Sequence, residues 1–379
     1  MKNKRWIRKR ELCWTVLLLC VFTRGNAYTL NLDLSGQLSG WTIQSRNDDE
    51  WRNQTGGRYL PQLTLEHQLT TVSFMDIETS LNGFATYDTE RSEEEIELEL
   101  YRLKLRYATA QTETQLGLQR INFGPAQLLR SLKWFDQVDP RDQLQLTNGV
   151  YALRFKYGAL NNANLWLWGL YGNDERKGYE QLPSVDDTPE FGGRLQYPVL
   201  DGELASTFHT RKVDALTPGG SDFREDRIAL DGRWEITVGL WFETMLQHQE
   251  ASWLPYEWTK MTTIGADYTF GVGNGLHVVL EHLTTVAASD AFGWDEDAHI
   301  SAFSLSYPYG LFDNFSAIGY YSWEQEQYWH YLSWQRTYNT WSMNASLFSY
   351  PASETETLDV QQTALGAGYG AQVMFTFYH

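Results

Sequence analysis

The chain has 379 residues, 42% hydrophobic and 15% aromatic, with a formal net charge of −18. That acidity argues against nucleic acid as a partner, and the absence of any eighteen-residue apolar run excludes helical membrane spans. Disorder is excluded too, because this many Trp, Tyr and Phe can build a large packed surface, although the mean hydropathy of −0.45 is that of a soluble protein.

The first residues have the form of an export signal. Lys2, Lys4, Arg5, Arg8, Lys9 and Arg10 make a basic start, Cys13 to Phe22 is an apolar run too short to span a bilayer, and Gly25-Asn26-Ala27 offers a small-residue cleavage site. Maturation is expected after Ala27, so that residues 1–27 are the signal and 28–379 the working domain. Leu19 stands where a lipoprotein signal places a small residue, so lipidation at Cys20 is not expected. Cleavage removes both cysteines, and with them any disulfide or Cys-ligated metal. It also removes seven Lys/Arg and a single Glu, deepening the net charge from −18 to about −24.

From Tyr28 on, apolar and polar residues alternate with a period of two, the mark of a half-buried strand. Leu30, Leu32 and Leu34 alternate with Asn31, Asp33 and Ser35; a charged loop is expected over 46–57. Tyr59, Leu63, Leu65 and Leu69 then alternate with Gln62, Thr64, Glu66 and Gln68. A tight turn leads to Met75, Ile77, Leu81, Ala85 and Tyr87, set against Asp76, Glu78, Ser80 and Asn82. The nearly all-charged stretch 88–95 reads as another loop. Tyr101, Leu103, Leu105 and Tyr107 alternate with Arg102, Lys104 and Arg106, and a short turn near Ala110 leads to Leu116 and Leu118.

The alternation breaks between Arg120 and Thr147. Pro125 suits the first turn of a short helix, and Leu128, Leu129, Leu132 and Phe135 recur at three- and four-residue steps, which predicts one apolar helical face ending before Asp139-Pro140. A connection with this much Leu, Trp and Phe needs a surface to bury against, and the inside of a barrel would supply one.

Alternation resumes at Tyr151, Leu153, Phe155 and Tyr157 against Ala152, Arg154 and Lys156, and continues in further strands to the end. The last, from Leu365 through Ala367, Tyr369, Ala371, Val373 and Phe375 to Phe377, holds one parity for thirteen residues, longer than a soluble sandwich strand needs. Counting gives about eighteen strands, with sixteen as the alternative, joined by alternately short and long connections as in bacterial outer-membrane barrels. Closure is the physical reason for a barrel, since an unpaired strand edge in hydrocarbon costs several kcal/mol per orphaned group. The expected fold is all-β, a transmembrane antiparallel up-and-down β-barrel.

These features resemble the porins of Gram-negative outer membranes: a signal sequence, alternating strands, a terminal strand rich in aromatics (Phe375, Phe377, Tyr378) and an elaborated third long connection. More loosely, the chain is similar to substrate-selective porins of the alginate and phosphate type. The resemblance implies a third outer loop, here 120–147, folded into the lumen to narrow it. It also implies an outer-membrane location among lipid and lipopolysaccharide, insertion by the barrel-assembly machinery, and passage of small hydrophilic solutes, as trimer or monomer. The chain departs from the pattern at its last residue, where His379 stands on the parity of Phe377 in place of the usual Phe.

If apolar residues face lipid, the polar parity lines the channel. That assigns a basic ladder to Arg102, Lys104, Arg106, Arg154 and Lys156, and an opposing acidic wall to Asp33, Glu66, Asp76 and Glu78. Arg120, Arg130, Lys133, Trp134, Asp136, Asp139, Arg141 and Asp142 lie on the constriction loop. Acids facing bases across a narrow lumen would orient polar solutes; the plainer reading is solvated lumen residues paired with neighbours. Trp166 and Trp168 read as part of an interfacial girdle, the competing reading being inward sugar-stacking platforms. The runs Asp48-Asp49-Glu50, Glu93-Glu94-Glu95 and Asp295-Glu296-Asp297 read as solvated loops, the competing reading being Ca²⁺ or Mg²⁺ sites at the cell surface. His277, Glu281 and His282 miss the H-x-x-E-H spacing by one residue on a strand. No cofactor, metal or catalytic residue is implied. The function expected is passive diffusion of small hydrophilic solutes, with an anion or oligosaccharide preference. The alternatives are an outer-membrane barrel protease or lipase and a soluble exported glycan-binding protein.

Overall fold

The structure is a computed structural model that describes residues 30–47, 50–215, 221–251, 253–351 and 368–379. The expected signal, residues 1–27, and most of the last long connection lie outside the described residues.

Eighteen strands follow one another: β1 Leu30–Asn47, β2 Glu50–Thr70, β3 Ser73–Asp88, β4 Glu93–Ala108, β5 Thr112–Gln119, β6 Val150–Gly158, β7 Asn164–Leu170, β8 Glu190–Val199 and β9 Gly202–Val213. The second half holds β10 Phe223–Glu235, β11 Gly239–Gln249, β12 Trp258–Phe270, β13 Leu276–Ala288, β14 Glu296–Tyr309, β15 Asp313–Ser322, β16 Gln327–Thr337, β17 Trp341–Tyr350 and β18 Gly368–Tyr378. Each pairs antiparallel with the next, and β1 pairs with both β2 and β18, so the sheet closes on itself. This is the expected up-and-down barrel, with eighteen strands among the described residues and not sixteen. Closure removes the edge along the shared height of the wall, although Glu93 to Arg102 of β4 stand above β5 with a ladder partner on β3 alone.

The two-residue period sets the two faces of that wall. Leu195, Phe208, Ile228, Leu280, Leu332, Leu347 and Phe375 are exposed on the outer face, while polar residues of the other parity, such as Arg194, Thr207, Glu243, Glu281 and Gln372, are buried.

Two expected loops are largely strand. Residues 46–47 and 50–57, and 88 with 93–95, extend the first two outer hairpins, with Arg46 opposite Trp51 and Tyr87 opposite Glu94, and 89–92 form the turn. Charge alone had suggested loops, but the cross-strand partners suit a ladder: Arg46 packs 5.6 Å over the Trp51 ring, and Arg52 pairs with Asp88. Glu93, Glu94 and Glu95 therefore stand on β4 and not in a loop.

No helix occurs among the described residues, so the apolar helix expected after Pro125 is absent. Leu128, Leu129, Leu132 and Phe135 are packed, but along an irregular chain whose backbone N–H groups are satisfied by carboxylates of the wall. Those groups take the role that intrahelical bonds would have had.

Candidate functional site

The connection between β5 and β6, residues 120–149, is held from several strands far from its own roots. Glu281 on β13 accepts the N–H groups of Gln127, Leu128 and Leu129 at 2.6, 2.9 and 2.6 Å, and the indole N–H of Trp241 on β11 at 3.0 Å. Glu243 on β11 accepts those of Ala126 and Leu132 at 2.9 and 3.0 Å. Gly124 permits that approach, since its φ is +93° and a Cβ there would lie 2.2 Å from a Glu243 oxygen. Thr263 on β12 donates to the carbonyl of Leu129 at 2.5 Å. Further along, Gln143 donates to the Tyr331 hydroxyl on β16, and Arg141 lies 4.8 Å over the Tyr350 ring on β17.

Apolar packing follows the same course. Ile121, Phe123, Leu129, Leu132, Trp134 and Phe135 are buried with Trp168, Leu170, Met245 and Leu283 in one cluster. Leu128 and Leu144 pack on a second, formed by Trp41, Trp329, Tyr331, Phe348 and Tyr350. The girdle reading of the tryptophan pair is thus corrected. Trp168 is buried, stacked 5.7 Å from Phe123 and donating to His209 at 3.3 Å, while Trp166 carries Lys156 3.6 Å over its ring. Strand parity decides this: Leu165 and Leu167 occupy the outer face of β7.

Within the connection, Arg130 pairs with Asp136 and Arg141 with Asp139. Burial disfavours a charged Asp139, yet the adjoining Arg141 holds its carboxyl below the usual carboxylate range. Asp142 is pushed up by burial, against the N–H groups of Leu144 and Leu146 that it accepts. Burial also draws the Lys133 ammonium below its ordinary value, and Lys133 rests 5.3 Å over Tyr179. Trp134 is buried and donates to the Met245 sulfur at 3.1 Å. Arg120 is exposed, and its carbonyl accepts from Arg154 at 3.4 Å.

The expected acidic wall does not oppose the basic ladder. Asp76 and Glu78 lie on β3, the strand next to β4, where they pair with Arg106 at 2.7 Å and Lys104 at 2.8 Å. Glu66 stands across from Asp76 on β2, and Asp33, exposed near the start of β1, faces Thr64. Consecutive strands of an up-and-down sheet are neighbours, so acids and bases read off successive strands must share one wall. Glu113 on β5 adds to the strip, 3.3 Å from Arg154 and 3.8 Å from Arg106. Arg102, buried, spends its guanidinium on the carbonyls of Tyr101 and Thr147, and Lys156 rests its ammonium on the Trp166 ring, so neither bond is to a carboxylate.

A second charged group was not anticipated. Lys177, Glu180, Glu190, Arg211, Glu225 and Arg227 are buried together, with Arg211–Glu225 at 2.6 Å, Lys177–Glu190 at 3.0 Å and Arg227–Glu225 at 2.6 Å. Arg194 grips Asp231 nearby through two bonds of 2.6 and 2.7 Å. Inward charges on successive strands were the available signal. The side chains of Lys104, Arg106 and Glu113 are 21%, 32% and 27% exposed, whereas Arg211 and Glu225 are each 1% exposed. Water therefore reaches the β3–β6 wall and is shut out from β8–β10.

Fold and inner surface define a closed antiparallel β-barrel, apolar outside and charged inside, with one long connection bonded to distant strands. It is similar to OccAB1 of Acinetobacter baumannii, at 8% identity and a TM-score of 0.58 over 92% of this chain and 96% of that one. It is also similar to OccK5 (OpdH) of Pseudomonas aeruginosa, at 9% identity and 0.57 over 92% and 98%. OmpT, an outer membrane protein of Vibrio cholerae, gives 12% identity and 0.52 over 93% and 100%. At such identities the likeness is one of fold. No family model and no curated protein matches the chain.

Proposed function

We propose that the protein is an outer-membrane porin through which small hydrophilic solutes diffuse, narrowed by the 120–149 connection lying inside the lumen. The observation that carries this reading is the set of bonds from residues 126–143 to Glu243, Thr263, Glu281 and Tyr331. A segment rooted between β5 and β6 reaches buried, inward-parity groups on β11 to β16 by passing through the interior of a closed barrel.

The remaining path follows the β3–β6 wall, where water touches the charges. A solute there meets a strip of alternating sign along one side. Lys156, half-buried and with no carboxylate in the bonds described, tips the strip toward anions. Passage is passive and breaks no bond. On this reading residues 1–27 direct export, the barrel-assembly machinery inserts the chain, and lipid and lipopolysaccharide surround it.

Reconstitution into planar bilayers tests the proposal. The intact protein should give stepwise conductance, and deletion of Leu128 to Gln137 should raise it. Unchanged conductance in the deletion variant would refute the constriction, and no conductance from folded protein would refute the porin.

A further inference from the structure

One strand rises past its neighbour and leaves a side of its backbone bare. β4 pairs with β3 along its whole length, but β5 meets it only from Leu103 to Ala108. Above that point no strand lies beside it, because the chain leaving β5 turns away toward Glu243 and Glu281. The alternation of ladder bonds tells which groups are left over. Thr89 donates to Asn53, its opposite residue on β2, at 3.0 Å, so odd-numbered residues on the outer half of β3 bond to β2 and even-numbered ones to β4. The even-numbered ones face Glu93, Glu95, Glu97 and Glu99. Glu94, Ile96 and Leu98 therefore turn N–H and C=O to the open side, where no bond from a described residue reaches them.

This edge stands in water. An apolar band about 25 Å tall takes about ten residues of a strand tilted near 40°, and counted up from Tyr107, beside the short turn, that height is used up at Leu98. Ile96 lies above it and is 66% exposed. A bare edge is a template for another strand unless Pro, Lys or a bulge spoils it. The irregularity of β4 falls lower, beside Ser80 and Leu81, and the open stretch holds neither Pro nor Lys.

Charge selects the strand. Glu95 and Glu97 share the inner face, while Ile96 and Leu98 share the outer. Among the described residues no cation pairs with Glu93, Glu94, Glu95 or Glu97; their ladder partners are Asp88, Tyr87, Thr86 and Phe84, and the nearby Arg52 is taken by Asp88. A second copy is a poor occupant, since its β4 would set Glu against Glu. Copies in one bilayer also run β4 in the same direction, which forbids antiparallel pairing.

We propose that this edge takes up an extended cationic peptide from outside the cell, added antiparallel to β4 as a further strand. Lys or Arg side chains lie over Glu95 and Glu97, and apolar ones beside Ile96 and Leu98. Ladder bonds supply the affinity and the glutamates choose the sequence.

The test titrates the purified barrel in detergent with a fluorescent peptide of alternating Lys and Val. Binding should saturate. In an antiparallel pair, opposite residues share a face and exchange bonds, so the valines beside Glu94, Ile96 and Leu98 donate to β4 and the lysine N–H groups point away. Methylating the valine nitrogens should weaken binding about a hundredfold through three lost bonds; methylating the lysine nitrogens should leave it intact. On the barrel, Ile96→Pro removes a donor that no ladder bond uses and should cost about tenfold, with conductance unchanged. Glu95→Lys combined with Glu97→Lys should abolish binding of this peptide and admit one of alternating Glu and Val. Should the proline variant fail to assemble, the two methylated peptides read the same edge on the parent. No saturation, equal loss from both methylated peptides or from neither, parental binding by the Ile96→Pro barrel, or a charge swap without effect would each overturn the proposal.

Discussion

Replacing Glu281 by Gln separates two forces that hold the 120–149 connection to the distant strands. The carboxylate takes two N–H groups on each oxygen, Gln127 and Trp241 on one, Leu128 and Leu129 on the other. A glutamine keeps one acceptor oxygen and turns an NH₂ toward the remaining two donors. At about 1.5–3 kcal/mol for each charge-assisted bond, the loss is about 3–6 kcal/mol. Leu129, Leu132, Trp134 and Phe135 are buried in the same region, and at about 1.5–3 kcal/mol each their packing contributes roughly 6–12 kcal/mol. Packing outweighs the single change, so Glu281→Gln should increase open-channel noise while leaving mean conductance nearly constant. Adding Glu243→Gln removes one more bond, bringing the loss to about 4.5–9 kcal/mol. That is comparable with the packing, and the double variant should spend a measurable fraction of time at higher conductance. The only cysteines are Cys13 and Cys20, so Ser131→Cys, at a position fully buried, reports release by thiol labelling of mature protein. A double variant with parental current, parental noise and no labelling of the thiol introduced at Ser131 would refute the assignment of these carboxylates as the segment's anchors.

Other outcomes follow from the same geometry. Reversing Arg102, Lys104 and Arg106 to Glu places three negative charges beside Asp76 and Glu78, and the reversal potential in a salt gradient should move toward cation preference; an unmoved potential would remove the strip from selectivity. Trp168→Ala opens a hole beneath Phe123 and should cost about 3–5 kcal/mol, seen as a lower thermal unfolding midpoint in detergent. Gly178→Ala should raise channel noise, since the Gly178 φ is +50° and a Cβ would fall 2.0 Å from the Lys133 carbonyl oxygen, prising the 171–189 connection off the inner segment. Asp139 has a depressed pKa, so its contribution to order is fully present above the ordinary aspartate value of about 3.9 and is lost as pH falls through the lower, folded value. Noise in the parent should therefore rise in strong acid, and Asp139→Asn should show that noise already at neutral pH.

The wall was legible in the sequence because one side of each strand meets an apolar surround and the other does not, a constraint that acts residue by residue. Short turns between alternating runs fixed the order of strands in the same local way. The interior was less legible. Placing Asp76 and Glu78 opposite Lys104 and Arg106 ignored that consecutive strands touch, so a rule of topology overrode a pattern of charge. Leu128, Leu129, Leu132 and Phe135 have helical spacing, but spacing states only that several apolar groups need cover. It does not reveal that Glu243 and Glu281, more than a hundred residues away, will accept the backbone N–H groups. Trp168 followed its strand's parity inward although its chemistry suits an interface. The buried ionic group around Glu225 depends on three strands and a connection meeting, and no single stretch carries that information.

The first four strands run to 18, 21, 16 and 16 residues, whereas β5 to β9 have 7 to 12. At about 3.3 Å per residue and a tilt near 40°, β2 rises roughly 50 Å, about twice the height of the apolar band. On β4 the surplus lies at the outer end, because β5 pairs only with Leu103 to Ala108, whereas on β1 residues 30–36 run past the end of β18 at the end of the short turns. The rim is therefore high over β3 and β4, two of the four strands that bear the wetted strip, and low over β5 and β6, the other two, so the strip itself crosses a step.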